Sequence, residues 1–354
     1  MSEENKLIVD TDPGVDDAVA LAWLLSQTTY PLTLLGIGIV AGNAHPAQGA
    51  NNALTALHTL GQAEIPLAVG ANQPLVYPLS RTNRLIHGPD GLWGAGAQPP
   101  YDITHCPTDV PAFYRDLAQA HPGATLLALG PLTNLAQTVT RYPEALRSLN
   151  RIVILGGAKA TGSVTPVAEY NFWQDPQAAA LVLGAGLPIT LMLRDTFITF
   201  ALTEAEVKAV CEGETAVMRL LGPPLQRYAG LYTGMGRAPA ATIPDLVAAM
   251  FALDPALGST QPALVNVMTE PGLTRGQSII GLRFSERLTM IADDEELGDL
   301  AERALVESDF DLMTAVAAIA NRQPDNAQVV THINITAMRD LFFTTFIGKD
   351  EYYA

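Results

Sequence analysis

Four aspartates stand within eight residues near the start of the chain, in the stretch LIVDTDPGVDDAVALAWLL. Asp10 and Asp12 follow an apolar run, a Pro-Gly pair marks a turn, and Asp16 and Asp17 open a helical pattern. Carboxylates crowded into one turn repel one another and raise each other's pKa unless they share a cation. Hard divalent cations such as Ca²⁺ and Mg²⁺ take oxygen ligands in numbers that suit such a cluster. The spacing therefore predicts a metal or catalytic site.

A purely structural explanation accounts for only half of this cluster. Asp16 would be the N-cap of the helix, and Asp17 would complement the positive end of the helix dipole. Asp10 and Asp12 would then be turn formers, which does not explain why four like charges share one concave turn. We therefore favour the metal or catalytic role.

The overall charge excludes some classes of partner. The chain has 354 residues, of which 48% are hydrophobic, so it can build a sizeable core. It carries 20 basic and 36 acidic residues, a formal net charge of −16. This balance argues against a nucleic acid or an anionic membrane as the main partner. A small neutral ligand, or one held through a cation, fits better.

The cellular location is predicted from cysteine usage and from the N-terminus. Cys106 and Cys211 are too few for a disulfide framework and form no CxxC pair, which favours a reducing compartment. The polar start MSEENK meets the first strand at once and leaves no room for a signal peptide. No apolar run approaches the roughly 20 residues that a membrane span needs. We predict a cytoplasmic protein.

The elements that must position the aspartates follow a regular rhythm. Short apolar runs such as KLIVD, LTLLGIGIVAG, ATLLALG, RIVILGG and LPITLMLRD alternate with helical patterns, the first from Asp16 to about Ser26 and another around Ala47 to Leu60. Strands that are apolar on both faces and joined by helices predict an α/β fold with a mostly parallel sheet covered on each side. Ligands of such sheets gather at the carboxyl ends of the strands.

We predict one domain over residues 1–354 with two additions. The loop from Gln73 to Tyr101 is rich in Pro, Gly and aromatic residues and is long enough to cover an active site. An acidic, helical stretch at about residues 283–321 is predicted to be an inserted subdomain.

The motif DTDPGVDDA resembles the signature of the inosine-uridine-preferring nucleoside hydrolase family, which cleaves the N-glycosidic bond of ribonucleosides with a tightly held Ca²⁺. Further blocks are similar to family blocks and occur in the family's order. These are GIVAGN, HGPDGLWG, LGPLTNLA, ILGGA, VTPVAEYNFWQDPQAA, TIPDLVAAMFALDP and TRGQSI. The resemblance covers most of the chain and implies an open, Rossmann-like α/β sheet, in agreement with the rhythm of the elements.

The resemblance implies a set of metal ligands. Asp12, Asp17 and Asp245 would bind Ca²⁺ through their carboxylates, and Leu129 would bind it through its backbone carbonyl. Asp12 would also be the general base for the attacking water, since a cation lowers the pKa of bound water and a neighbouring carboxylate can take the proton. Without the resemblance, Asp245 is explained better as an acid at a helix start.

The resemblance also implies how ribose is held. Asp16 would accept a hydrogen bond from a ribose hydroxyl, and Asn43, Glu169 and Asn171 would hold sugar hydroxyls. Glu169 and Asn171 are two residues apart, so in an extended segment they would point the same way. Asp10 would support the cluster from behind. The reaction would be water attack at the anomeric carbon with departure of the base.

The sequence departs from the family pattern on the side of the leaving base. Many members have a His immediately before the last metal-binding Asp, where this chain has Pro244, which can neither donate nor accept a proton. Ser163 stands where an Asn that contacts the 5′-hydroxyl region is common. We predict an altered base preference and a replacement acid, with His87 as first choice. Other candidates for the acid are Tyr228, Tyr232 and Arg237.

Two other functions stay open at this point. An aspartyl-phosphate phosphatase also opens with DxD after a first strand, and Lys159 could be the lysine that such an enzyme needs. A non-catalytic protein that binds nucleoside or ribose would explain Pro244. By analogy with the family we also expect a homo-oligomer, a dimer or a tetramer.

Overall fold

The computed structural model describes residues 4–79, 83–234 and 240–347. Within these ranges the chain alternates between strands and helices along most of its length. The strands are β1 (Asn5–Thr11), β2 (Leu32–Ile39), β3 (Leu67–Val69), β4 (Thr125–Ala128), β5 (Arg151–Leu155), β6 (Ile189–Met192), β7 (Ala201–Thr203), β8 (Ala240–Thr242), β9 (Gly258–Val267), β10 (Ser278–Gly281) and β11 (Ala327–Ile333).

The helices follow the strands in the order expected of an α/β protein. They are α1 (Val15–Ser26), α2 (Pro46–Thr59), α3 (Arg84–His87), α4 (Val110–Ala120), α5 (Thr133–Arg141), α6 (Pro143–Arg147), α7 (Tyr170–Gln174), α8 (Pro176–Leu183), α9 (Arg194–Phe197), α10 (Glu204–Glu212), α11 (Ala216–Gly234), α12 (Pro244–Leu253), α13 (Phe284–Ile291), α14 (Asp294–Val306), α15 (Leu312–Ala320) and α16 (Ile335–Phe346). Helices α1 and α2 lie within one residue of their predicted positions.

The central sheet has nine strands in the order β10-β9-β11-β6-β5-β4-β1-β2-β3. From β11 to β3 every neighbouring pair is parallel, and β9 is antiparallel to both β11 and β10. Strands β7 and β8 form a separate two-stranded sheet. The mostly parallel α/β sheet predicted from the sequence is confirmed.

Burial on both faces explains why these strands read as continuous apolar runs. In β1, Val9 packs into a core with helices such as α1 and α12, whereas its neighbour Ile8 packs into the core on the other face, with α4, α5 and α8. Successive side chains of a strand point to opposite faces of the sheet. When helices cover both faces, the side chains on both faces are buried and therefore apolar. The first polar residues therefore come where the strands end.

The acidic stretch at about 283–321 forms helices α13, α14 and α15, as its pattern predicted. Of the residues in these three helices, only Ile319 and Ala320 are buried. That this segment is an insertion into the domain stays a prediction.

Across the described parts of the chain, no helix combines the length and the apolar character needed to cross a membrane.

Candidate active site

A cavity of about 350 Å³ opens at the carboxyl ends of the parallel strands. It is lined by residues that follow β1, β2, β4 and β6 and by Leu155, the last residue of β5. Most residues that the sequence predicted for the site line it directly: Asp16, Asn43, His87, Leu129, Ser163, Glu169, Asn171 and Asp245. Since these residues are up to 229 positions apart in sequence, their convergence supports the strand-end prediction.

The turn after β1 is built around Gly14 and Asp17. Gly14 is the N-cap of α1, and its N–H donates to Asp17 Oδ2 at 2.9 Å, while the Thr11 hydroxyl donates to Asp17 Oδ1. The purely structural explanation, in which Asp16 is the N-cap, is therefore wrong. Gly14 is required sterically, because a Cβ there would lie 2.6 Å from His87 Nδ1.

Asp12 lies just below the cavity wall and is 1% exposed. Its Oδ2 accepts the backbone N–H of Asn43 at 2.6 Å, and the Asn43 amide donates onward to Asp17 Oδ2 at 3.1 Å. Glycines surround the carboxylate: a Cβ on Gly42 would lie 1.9 Å from Asp12 Oδ2, and one on Gly130 would lie 2.8 Å from Oδ1. Glycine at these two positions therefore leaves room for the Asp12 carboxylate.

Asp245 enters the same cluster from the first turn of α12, after Pro244 at the first helical position. Carboxylate oxygens of Asp16, Asp17 and Asp245 lie within 4.8 Å of one another, and all three residues are buried. The pKa values of Asp12, Asp16, Asp17 and Asp245 are all raised, first by burial and, except for Asp16, next by a neighbouring aspartate. The side chains of Asp16 and Asp245 are also within hydrogen-bonding reach of each other, which couples their pKa values.

Such a cluster has the chemistry of a hard-cation site. It offers only oxygen donors, in the numbers and close spacing that Ca²⁺ prefers. Without a cation the acids must take up protons, and a divalent ion would remove that need. The residues present therefore fit a resident divalent cation.

Leu129 directly follows β4 and lines the cavity. Its carbonyl accepts the side-chain N–H of Asn171 at 2.7 Å, and Asn171 also donates to the carbonyl of Leu155, the last residue of β5, at 3.0 Å. One amide thus ties together the ends of two neighbouring strands. Metal binding by the Leu129 carbonyl stays a prediction.

Glu169 and Asn171 reach the cavity by a different local structure from the one expected. Helix α7 begins at Tyr170 with Glu169 as its N-cap, so the assumption of an extended segment is wrong. The Glu169 carboxylate accepts the backbone N–H groups of Asn171, Phe172 and Gly157 at 3.0, 3.2 and 3.0 Å. Burial nevertheless raises its pKa to about 7.

Asp10 lies outside the cavity lining, behind the other aspartates. Its Oδ2 accepts hydrogen bonds from the Tyr114 hydroxyl and from the Asn134 amide, the latter at 2.7 Å. Burial raises the pKa of Asp10 to about 7. These contacts agree with the supporting role expected of it.

His87 closes α3 and reaches the cavity from the long loop. Its Nδ1 accepts the backbone N–H of Val15 at 3.1 Å and lies 3.6 Å from Asp16 Oδ1. The hydrogen bond from Val15 assigns the neutral imidazole as the tautomer that carries its proton on Nε2. Burial lowers the pKa of His87 to about 4.

Tyr228 and Tyr232 on α11 lie on the same side of the cavity as His87. The ring centroids of His87 and Tyr228 are 5.6 Å apart, and those of the two tyrosines are 5.1 Å apart. The Tyr228 hydroxyl is 2.9 Å from the Thr242 carbonyl, 3.3 Å from the Tyr232 hydroxyl and 3.4 Å from Asp16 Oδ2. Arg237 lies outside the described residues.

Two further residues test details of the sequence analysis. Ser163 lines the cavity, and its Oγ accepts the backbone N–H of Tyr170 at 3.1 Å. Lys159 Nζ instead donates to the Ile280 carbonyl at 2.9 Å and lies 3.0 Å from Glu286, so it faces β10 and α13. The phosphatase alternative loses the lysine on which it depended.

Arg194 and Phe197 of α9 also line the cavity, and the sequence analysis missed both. They follow β6, whose apolar run LPITLML was recognised. Arg194 could have been identified from the rule that ligands bind at the carboxyl ends of parallel strands, because it is a polar residue that closely follows a buried parallel strand.

Comparison with known proteins identifies the family of the chain. Residues 7–340 match the family model described as inosine-uridine preferring nucleoside hydrolase. The non-specific ribonucleoside hydrolase RihC of Klebsiella pneumoniae is 36% identical over 282 residues, which are 78% of this chain and 88% of that protein. The pyrimidine-specific ribonucleoside hydrolase RihA of Shewanella woodyi is 31% identical over 278 residues, 77% of this chain and 87% of that protein.

Solved structures share the whole architecture. The purine-preferring ribonucleoside hydrolase from Gardnerella vaginalis superposes with a TM-score of 0.78 at 25% identity, over 97% of this chain and 98% of that one. The plant nucleoside hydrolase PpNRh1 gives a TM-score of 0.80 at 24% identity, over 97% and 99% of the two chains, and shows the same fold. From its sequence match and its aspartate-lined cavity, the chain belongs to the inosine-uridine preferring nucleoside hydrolase family.

Proposed function

We propose that this chain is a Ca²⁺-dependent ribonucleoside hydrolase whose base preference is altered by Pro244. The observation that carries the proposal is the convergence of four buried aspartates with the predicted ribose-binding groups around one small cavity. The family supplies the class of reaction, N-glycosidic hydrolysis. The RihC and RihA relatives, which are named for ribonucleosides, support the substrate class.

The proposed metal ligands are the carboxylates of Asp12, Asp17 and Asp245 and the carbonyl of Leu129. Asp16 also lies within the three-acid cluster, and in this arrangement it is hydrogen-bonded to Asp245. We assign Asp16 to ribose because it lines the open cavity, where it can exchange that hydrogen bond for one from a sugar hydroxyl. A divalent ion bound here would offset part of the cluster's negative charge and lower the pKa of a bound water.

The protein residues divide the remaining chemistry. Asp12 accepts the proton of the attacking water, and Asp16, Asn43, Glu169 and Asn171 orient the ribose by its hydroxyls. These acceptors and the cluster's negative charge stabilise the positive charge that develops on the ribosyl ring in an oxocarbenium-like transition state. Contacts that strengthen as charge develops raise kcat, whereas those equally strong in the ground state only lower KM.

Pro244 lines the cavity on the side proposed for the leaving base. It has no N–H and therefore cannot donate a proton to the base. His87 lines the same cavity and is the candidate donor. Its Nδ1 accepts the Val15 N–H, so the proton of the neutral imidazole is on Nε2. A neutral imidazole can donate this proton as a hydrogen bond to a ring nitrogen or a carbonyl oxygen of the base. We propose His87 as the group that assists departure of the base.

The test of the proposed function is a panel of purine, pyrimidine and modified ribonucleosides incubated with calcium-replete protein. Free ribose should be released from at least one of them, in equal amount to the free base. A folded, calcium-replete protein that binds a nucleoside tightly and releases no ribose would support the non-catalytic binding protein instead.

Replacing His87 should slow the departure of the base specifically. We expect His87→Asn to lower kcat for a ribonucleoside by about 10²-fold, at the lower end of general acid catalysis. A riboside of p-nitrophenol, whose leaving group needs no proton, should be hydrolysed within about threefold of the native rate because general acid assistance is not required there. Equal losses on both substrates would contradict the assignment. His121→Asn, at the half-buried C-cap of α4 and outside the cavity lining, is the matched control.

A homo-oligomeric state and a cytoplasmic location remain expectations from the sequence. Sedimentation of the purified protein would test the first of these.

A further inference from the structure

Arg194 is a buried cation that the proposed roles leave without a function. It is the first residue of α9, two positions after the end of β6, it is 7% exposed, and it lines the cavity. Its Nη1 donates to the carbonyl of Thr161 at 3.0 Å and to the Thr161 hydroxyl at 2.9 Å. Among the described residues that line the cavity, Arg194 alone carries a permanent positive charge. Burying a charge is costly, so its placement here calls for a functional explanation.

Arg194 lies in a distinct part of the wall. Thr161, which it contacts, belongs to the loop that also carries Ser163 and Val164, and Phe197 and Ile198 follow Arg194 in sequence. We call the five lining residues of this region the Arg194 wall: Ser163, Val164, Arg194, Phe197 and Ile198. It combines a guanidinium and a hydroxyl with an apolar rim.

The chemistry of a ribonucleoside determines what faces each wall. The 2′ and 3′ hydroxyls occupy one edge of the ribose ring. The base on C1′ and the C5′ hydroxymethyl group on C4′ flank the ring oxygen at the other edge. If the hydroxyls meet Asp16, the two substituents must point to different walls. The base requires the proton donor, which His87 supplies beside Tyr228. The C5′ group is then directed to the Arg194 wall.

We propose that Arg194 is a specificity-determining residue that binds an anionic group on C5′, so that the site accepts 5′-phosphorylated ribonucleosides. The orientation of the ribose in this inference rests on the proposed function. A guanidinium presents its N–H donors in a planar fork that matches phosphate oxygens, and such charge-assisted bonds are among the stronger ones. The Ser163 hydroxyl can add a further donor on the same wall.

A competing explanation makes Arg194 only a counter-ion for Glu169, since its charge also lowers the pKa of that carboxyl. The two explanations predict different binding patterns. A counter-ion would support every sugar that uses Glu169, whether or not the sugar carries a phosphate. A phosphate-binding residue would matter mainly for the phosphorylated ligand.

Calorimetric titration of the calcium-loaded protein with D-ribose and with D-ribose 5-phosphate separates these explanations without turnover. The native protein should bind the phosphate about 10- to 100-fold more tightly than ribose, the factor that a hydrogen bond to a charged group contributes. Arg194→Met should remove this preference and leave the affinity for ribose within about threefold. Arg194→Lys, which keeps the charge but not the fork, should retain part of the preference and serves as a second variant if the first does not fold.

The control is Arg151→Met, a half-buried arginine at the amino end of β5 whose Nη2 donates to the Ala252 carbonyl, outside the cavity. It should keep the native preference. Equal affinity of the native protein for both sugars, no binding of either, or an equal loss of both in Arg194→Met would overturn the inference. Release of ribose from unmodified nucleosides is measured in a separate assay. If the protein hydrolyses nucleosides but does not prefer D-ribose 5-phosphate to D-ribose, the inference about Arg194 is wrong and the proposed function still holds.

Discussion

Asp12→Asn is expected to abolish ribose release, with a loss in kcat of about 10³-fold or more. The substitution keeps the size of the side chain but removes both the proton acceptor for water and one proposed ligand, and general base catalysis alone contributes about 10²–10⁴-fold. The cradle of Gly42 and Gly130 leaves no room for a neighbouring side chain to take over. The measurement is ribose release by the purified variant at saturating nucleoside and calcium.

The same variant should be more stable than the native protein when calcium is removed. Burial holds the pKa of Asp12 well above its usual value in the folded state. For an acid with a raised folded pKa, stability falls as pH rises from the unfolded pKa towards the folded one, so the ionised carboxyl is unfavourable at neutral pH. Asparagine has no such charge. Thermal melts in a chelator at pH 7 should therefore show a higher Tm for Asp12→Asn.

Calcium should reverse this order, because only the native protein gains its full binding free energy. Asp116→Asn, on the surface of α4, is the control and should change neither rate nor Tm appreciably. An Asp12→Asn variant with more than a tenth of native kcat would remove Asp12 from the catalytic role.

The second large effect is expected at Asp245. Asp245→Asn should weaken calcium binding by at least about 100-fold, since the loss of groups that merely support a metal ligand already costs 10- to 100-fold. Asp245 is buried beside Asp16 and Asp17, and no other described acid lies within this cluster's spacing. Calorimetric titration of chelator-treated protein with Ca²⁺ measures the change directly. Ribose release should then depend on added calcium over a range where the native enzyme is saturated.

A matched control separates metal binding from helix stability. Asp294→Asn also removes an acid from a first helical turn, that of α14, but this residue is exposed and remote from the cavity. Both substitutions lose a favourable interaction with the helix dipole, about 0.3–1 kcal/mol. Only Asp245→Asn should change the Kd for Ca²⁺. An unchanged Kd would exclude Asp245 from the ligands and leave it the helix-start role that its sequence position alone suggested.

Much of the fold could be predicted because it depends on local patterns. Helix α1 was placed within one residue, and the apolar runs around Ile8 and Val9 predicted strands buried on both faces. Once a parallel sheet is predicted, its ligand site is expected at the carboxyl ends of the strands. Polar residues that follow strands, such as Asn43 and the four aspartates, then become candidates without knowledge of any contact. Both steps use information that lies within a few residues of each position.

Predictions that assumed a particular local conformation were less secure. The structural alternative made Asp16 the N-cap, but Gly14 takes that position and its N–H donates to Asp17. Glu169 was expected to lie in an extended segment, but its carboxylate instead caps α7. Asp, Glu and Gly are all compatible with several helix-start geometries, so composition does not choose among them.

The sequence by itself determined the parallel α/β sheet, the strand ends and the acidic cluster that follows β1. Only the tertiary structure decided which of the polar groups meet: Asn134 reaches Asp10 across 124 residues, and His87 meets the Val15 amide across 72. The same packing placed Arg194 in the wall and turned Lys159 away from it. The physical reason is that hydrogen bonds and charge pairs act over a few ångströms, and which distant residues come that close depends on how the covered sheet packs its helices and loops.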